Sequence, residues 1–161
     1  ASDWRESGGL DGTFFAHMEE IDLCWRLRTM GKSIVCVSQS TAYHLGGATL
    51  HQGNPRKTFL NFRNNLLMLY KNLPSDKLRS VLFVRALLDY VAAAMFMLKG
   101  EWGSAKAVFR ARREYRKLKR ESRASREENL HKAVTMDVAE RTPFSILWKY
   151  HVCGCKTFDK L

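Results

Sequence analysis

Over most of the chain the apolar positions recur at helical rather than strand spacing. Ile21, Leu23, Cys24, Trp25 and Leu27, closing at Met30 and Gly31, describe one helix with a glycine stop. Phe59, Phe62, Leu66, Leu69 and Tyr70 line one face of a second, predicted over 56–72 with Pro55 in its first turn. The break from Lys71 to Ser75 separates this from a third helix over 76–98, the most hydrophobic segment of the chain. Its 81–98 stretch approaches membrane-spanning length, but Arg85 and Asp89 interrupt it, four apart on one face where they can pair. The pattern therefore predicts a buried core helix, or one lying on a membrane surface, rather than a spanning one. Gly100 to Gly103 makes the turn into a basic helix over 104–122.

The remainder is less periodic. Ser33 to Ser38, with Ile34, Val35 and Val37, predicts a short strand at a sheet edge. Residues 1–18 read as a loop with Gly8, Gly9 and Gly12 as turn formers, and 42–53 as a loop carrying His44 and His51. Residues 123–141 are polar with few apolar anchors and are expected to be partly loose. Beyond Pro143, the residues Phe144, Ile146, Leu147, Trp148 and Tyr150 suffice for a short docking helix. No internal repeat is visible.

Composition narrows the class. At 161 residues, 45% hydrophobic and 11% aromatic, the chain can build one modest core and is not a disordered polymer. The formal net charge of +11 is concentrated: between Lys106 and Arg126 there are ten Lys or Arg against two Glu. Such a run suits an anionic partner, whether lipid headgroups, nucleic acid or a diphosphate-bearing substrate, although most such runs are simply solvated faces. Nucleic acid is the least favoured, because aromatics are few in the run and no recognition motif accompanies it. Cys24 and Cys36 sit among apolar neighbours, which predicts buried thiols. Cys153 and Cys155 are too close for a zinc pair without a second pair elsewhere, so a reducing, cytoplasmic setting fits.

The chemistry-bearing words lie near the beginning. Gly8-Gly9-Leu10-Asp11-Gly12-Thr13-Phe14-Phe15 precedes Met18-Glu19-Glu20-Ile21-Asp22-Leu23-Cys24-Trp25-Arg26, and Tyr43-His44-Leu45-Gly46-Gly47 follows. Three carboxylates within four positions, with a histidine further on, are suitable parts for proton abstraction beside a metal-bound phosphate. Read blandly, the acids complement the positive end of a helix dipole and the histidine is a solvated loop residue.

Together these words resemble the C-terminal part of the catalytic domain of family 2 glycosyltransferases, inverting enzymes of the GT-A fold that use nucleotide-diphosphate sugars. The match is dense from Gly8 to His51 and looser to Leu73. The resemblance implies an α-rich α+β fold: a C-terminal GT-A fragment with several helices and one or two short strands. It divides the chain into an acceptor-side end of the catalytic domain, 1–73, and a helical basic extension, 74–161.

By the same resemblance Glu20 is the catalytic base, where many relatives carry Asp, so Glu19 stays an alternative. Asp22 and Arg26 support the site. Phe15, His17, Glu19 and Arg26 lie toward the substrate, and His44 helps to hold Mg²⁺ or Mn²⁺. No Asp-x-Asp motif and no series of β-α units precedes Gly8. The chain is therefore expected to be a piece of a larger enzyme, weak in metal binding or without it, and inactive alone.

The expected partners are a nucleotide-diphospho-sugar donor and a carbohydrate or lipid-linked acceptor. The expected setting is bacterial cell-surface polysaccharide or glycolipid synthesis, at the inner face of the cytoplasmic membrane, with peripheral contact through 106–126 and some self-association. Arg56, Arg63 and Asn64 are candidates for the donor diphosphate or, equally, for a solvated helix face. Trp4, Phe14 and Phe15 are candidates for sugar stacking. The rival class is a non-catalytic basic helical module that binds an acidic membrane or nucleic acid.

Overall fold

Asn54 opens the central helix: its side-chain oxygen accepts from the Arg56 amide at 2.8 Å, and Pro55 supplies the preset first turn. The computed structural model describes residues 1–43, 53–139 and 146–157, and among them the chain forms seven helices. They are α1 (Ser2–Ser7), α2 (Glu19–Thr29), α3 (Pro55–Asn72), α4 (Ser75–Leu98), α5 (Trp102–Glu121), α6 (Arg123–Lys132) and α7 (Ile146–His151).

Helix α3 is the axle. Phe59 and Leu60 pack on Ala107 and Ala111 of α5, Leu66 and Tyr70 on Tyr115, and Leu67 and Met68 on Phe14 from the preceding loop. The small side chains Ala105, Ala107 and Ala111 let α5 approach α3 closely, and this is the most extensive helix–helix contact. Tyr70 and Tyr115 meet edge to face with ring centroids 6.4 Å apart. Burial, with Tyr70 as the second cause, pushes the Tyr115 phenol up to about 12, so it stays neutral in this core.

The 1–73 and 74–161 segments meet at the Leu73–Pro74 break, but α5 and α6 fold back onto α3, so both contribute to one core.

Five expectations change. Residues 2–7 are helical rather than loop: Gly8 (φ 79°) closes α1 by donating to the Arg5 carbonyl at 3.1 Å, and Asp3 and Glu6 both reach the Lys32 ammonium. Residues 123–132 are also helical, because Arg126 spans back to the Tyr70 carbonyl and ring, while Arg123–Glu127 and Glu128–Lys132 pair along the surface.

The predicted strand at 33–38 does not form, and no strand occurs among the described residues. A strand needs a ladder partner, and here the β-branched run is irregular with Val35 exposed. Among the described residues the fold is accordingly α-rich without the β component. Cys24 and Cys36 are exposed rather than buried.

Finally, α4 is not a core helix. By length and composition it is apolar enough to cross a membrane, yet most of its side chains face outward. Arg85 and Asp89 do pair, as their spacing predicts, at 2.7 Å. The short α7 forms, with Ile146 and Trp148 exposed.

Candidate active site

The loop from Gly8 to Met18 is held from three sides. Asp11 shapes its first half: one carboxylate oxygen accepts from the Thr13 amide at 2.8 Å and the other pairs with the buried Lys71 ammonium from α3. At Gly9 (φ 64°) a side chain would meet the Trp4 indole at 2.8 Å, so the backbone passes under that ring only as glycine. Trp4 is thus a packing residue of this turn. Phe14 is fully buried on Leu67 and Met68, with Lys71 Nζ 5.4 Å from its ring centroid, and is not available for stacking.

The second half carries backbone strain. Phe15, His17 and Met18 all adopt positive φ (65°, 70° and 76°), a region that disfavours side-chain-bearing residues and costs on the order of 1–3 kcal/mol at each. A clamp from α3 holds them there. The Asn64 side-chain amide, with no exposed surface, donates to the carbonyls of Phe14, Ala16 and His17 at 2.9, 2.7 and 2.7 Å. Arg63 donates through Nε to Asn64 Oδ1 and through a terminal nitrogen to the carbonyls of Thr13 and Phe14, each bond 2.8–2.9 Å. Burial lowers the Arg63 pKa against the opposing charge of Glu114, and the guanidinium stays charged as arginine does throughout proteins.

Arg63 and Asn64 therefore form neither a solvated face nor a free phosphate clamp. Arg56 remains exposed, its guanidinium 5.1 Å from the ring of the exposed Phe15.

Helix α2 begins directly from this strained turn. Its N-cap, Met18, makes no side-chain cap, and the acids Glu19, Glu20 and Asp22 in the first turn complement the positive end of the helix. The three acids then diverge. Glu20 is exposed. Glu19 is half-buried, and one of its carboxylate oxygens, like Nε2 of the neighbouring His17, is buried without a hydrogen-bond partner among the described residues.

Asp22 is fully buried and wholly engaged: Oδ2 accepts from Arg26 Nε at 2.8 Å and Oδ1 from Asn72 Nδ2 at 2.7 Å. Arg26 in turn donates to the carbonyls of Ser7 and Gly9. The two are thus an i,i+4 pair and also the brace of the glycine loop, which puts Asp22 in a supporting position. His44 and His51 lie outside the described residues. Among the described residues no group of three or more His, Cys, Asp or Glu side chains gathers as metal ligands.

Beside the loop, an open cavity of about 490 Å³ separates residues 7–13 from α5 and α6. Its wall mixes both charges and hydroxyls, among them Asp11, Lys71, Glu121, Ser125, Glu128 and Asn129, while Glu19 and Glu20 do not line it.

Compared with known proteins, the chain matches no family model, no curated protein and no solved structure. The site's meaning therefore rests on its chemistry and on the sequence resemblance.

Two expected outcomes follow from the bracing. Asn64→Leu leaves the Ala16 and His17 carbonyls unpaired in a partly buried setting, at about 1 kcal/mol or more each. A loss of about 2 kcal/mol or more is expected in denaturant melts, and an unchanged midpoint would remove the clamp from the account.

Asp11 supplies the pH dependence. Burial pushes its carboxyl up, but the Lys71 and Thr13 hydrogen bonds outweigh burial and leave the pKa below the ordinary 3.8. A depressed folded pKa contributes stability that is present above the unfolded value and is lost as pH falls through the folded one. Asp11→Asn is therefore expected to lower stability at neutral pH, and to lower it much less in strong acid. Parallel melting curves across pH would contradict the pairing.

Proposed function

We propose that this chain is the acceptor-side part of an inverting GT-A glycosyltransferase that moves a sugar from a nucleotide-diphosphate donor to an acceptor hydroxyl. Glu20 is the general base. Single displacement needs one carboxylate to take the hydroxyl proton as that oxygen attacks the anomeric carbon, and no covalent nucleophile. Glu20 suits the role as the exposed acid of the three, free to approach a hydroxyl, while Asp22 is locked in its bonds to Arg26 and Asn72.

The observation that carries the reading is the backbone strain at Phe15, His17 and Met18, clamped by Arg63 and Asn64 and leading straight into Glu19-Glu20. A chain has no stability reason to hold three side-chain-bearing residues at positive φ, and such strain gathers where loops must present groups to a ligand. With the metal-diphosphate group bound, Mg²⁺ or Mn²⁺ would neutralise the departing diphosphate, and His44 is its proposed protein ligand from this chain.

The test is transfer by the full natural protein, with Mn²⁺, across a panel of nucleotide-sugars and carbohydrate or lipid-linked acceptors. Donor-specific, metal-dependent transfer with inversion supports the reading. A folded protein that transfers from no donor, and binds none, overturns it.

A further inference from the structure

Arg85 and Asp89, the two charges that interrupt the apolar run of α4, are turned away from solvent. Asp89 has no exposed surface and lies between Arg85 Nε and an Arg112 nitrogen of α5, each at 2.7 Å. With those charges folded inward, the outward side of α4 carries Phe83, Val84, Leu87, Leu88, Val91 and Met95. This stripe recurs at three- and four-residue intervals, ends at an 89% exposed Leu98, and extends for about 23 Å along the helix. A water-facing stripe of this size on a single helix marks a surface that is normally covered.

The rim of the stripe indicates what covers it. Tyr90 of α4 touches Phe109 of α5 with centroids 5.9 Å apart, and both rings, like that of Trp102, are exposed. From Phe109 the exposed side of α5 continues as Arg113, Arg116, Lys117 and Arg120, so a cationic ridge begins where the aromatic rim ends. We propose that α4 and α5 dock this protein on an anionic lipid bilayer. The α4 stripe inserts among the acyl chains in the plane of the interface, the aromatic rings sit at headgroup depth, and the α5 cations meet the phosphates.

Three other occupants fit less well. Nucleic acid has no use for the aliphatic stripe. A second copy would bring two cationic ridges together in a chain of net charge +11. A membrane-spanning α4 would carry Asp89 into hydrocarbon and strip it of Arg112, which α5 holds in place. The inference does not depend on the glycosyltransferase reading, and binding rather than turnover tests it.

The experiment is co-sedimentation of the full natural protein with vesicles of phosphatidylcholine alone and of an equimolar phosphatidylcholine–phosphatidylglycerol mixture, in low and high salt. Binding only to the anionic vesicles is expected. Leu87→Glu/Val91→Glu, on exposed positions that leave the Asp89 pairs intact, should reduce partitioning by tenfold or more. Arg113→Glu/Lys117→Glu should reduce it by at least tenfold in low salt and have little effect in high salt. Melting of both variants checks that they remain folded. Binding indifferent to the α4 changes, protein that resists alkaline and high-salt extraction as a spanning helix does, or a stable oligomer that buries α4 in place of lipid binding would each overturn the proposal.

Discussion

Glu20→Gln is expected to reduce turnover of the full enzyme by about 10²–10⁴-fold while leaving donor affinity and thermal stability almost unchanged. The size follows from the chemistry: the amide keeps the shape of the side chain and its place in the first turn of α2 but cannot accept the hydroxyl proton. The unchanged stability follows from the geometry, because Glu20 is exposed. Glu19→Gln is the necessary companion. Glu19 is half-buried with one oxygen closed off from solvent, so its amide should change kcat by about tenfold or less. If the two variants exchange behaviours, Glu19 is the base. If neither alters kcat, the proton leaves by another route and the proposed function loses its central residue.

Asp22→Ala is expected to act in the opposite way, on the fold first. Removing this carboxylate leaves the Arg26 guanidinium buried without its anion and the Asn72 amide with the Met68 carbonyl alone. Breaking one side of a buried pair costs about 3–5 kcal/mol. That is a large share of the 5–15 kcal/mol that typically holds a domain together, and corresponds to a Tm lower by on the order of 10 °C. Because Arg26 also carries the carbonyls of Ser7 and Gly9, the glycine loop should loosen with it, visible as faster amide exchange at residues 8–13. Asp22→Leu combined with Arg26→Met should recover much of the stability, since apolar replacement of both partners removes the uncompensated charge. A destabilisation below about 1 kcal/mol in Asp22→Ala would place the carboxylate in solvent.

Glu20 and Asp22 stand two positions apart with matching chemistry, and nothing in their spacing separates an exposed acid from a buried one. What separates them is α3. Asn64, Lys71 and Asn72 recur along that helix at seven- and eight-residue intervals, and they bind the loop carbonyls, Asp11 and Asp22 in turn. That polar periodicity was present in the sequence and is the signal that a second, buried face of α3 exists. It is easily passed over, because Asn and Lys on a helix are usually solvated. The positive-φ turn at Phe15, His17 and Met18 had almost no signal, since only histidine of the three is enriched in that conformation and the clamp imposes it on the others.

The sequence by itself determined the helices α2 to α5 to within a few residues, because their apolar spacing, the Asn54-Pro55 start and the Leu73-Pro74 break are local effects. It likewise determined the i,i+4 pairing of Arg85 with Asp89. Only the tertiary structure decided what depends on distant partners. Residues 33–38 have strand composition but no ladder to join among the described residues. Residues 123–132 look too polar to fold alone, yet α6 is fixed by Arg126 on Tyr70. Hydrophobicity marks α4 as a helix to be covered, but the side it turns outward was set by Arg112 reaching Asp89. Local spacing fixes secondary structure because its interactions span a few residues, whereas burial is a property of whatever else the chain brings alongside.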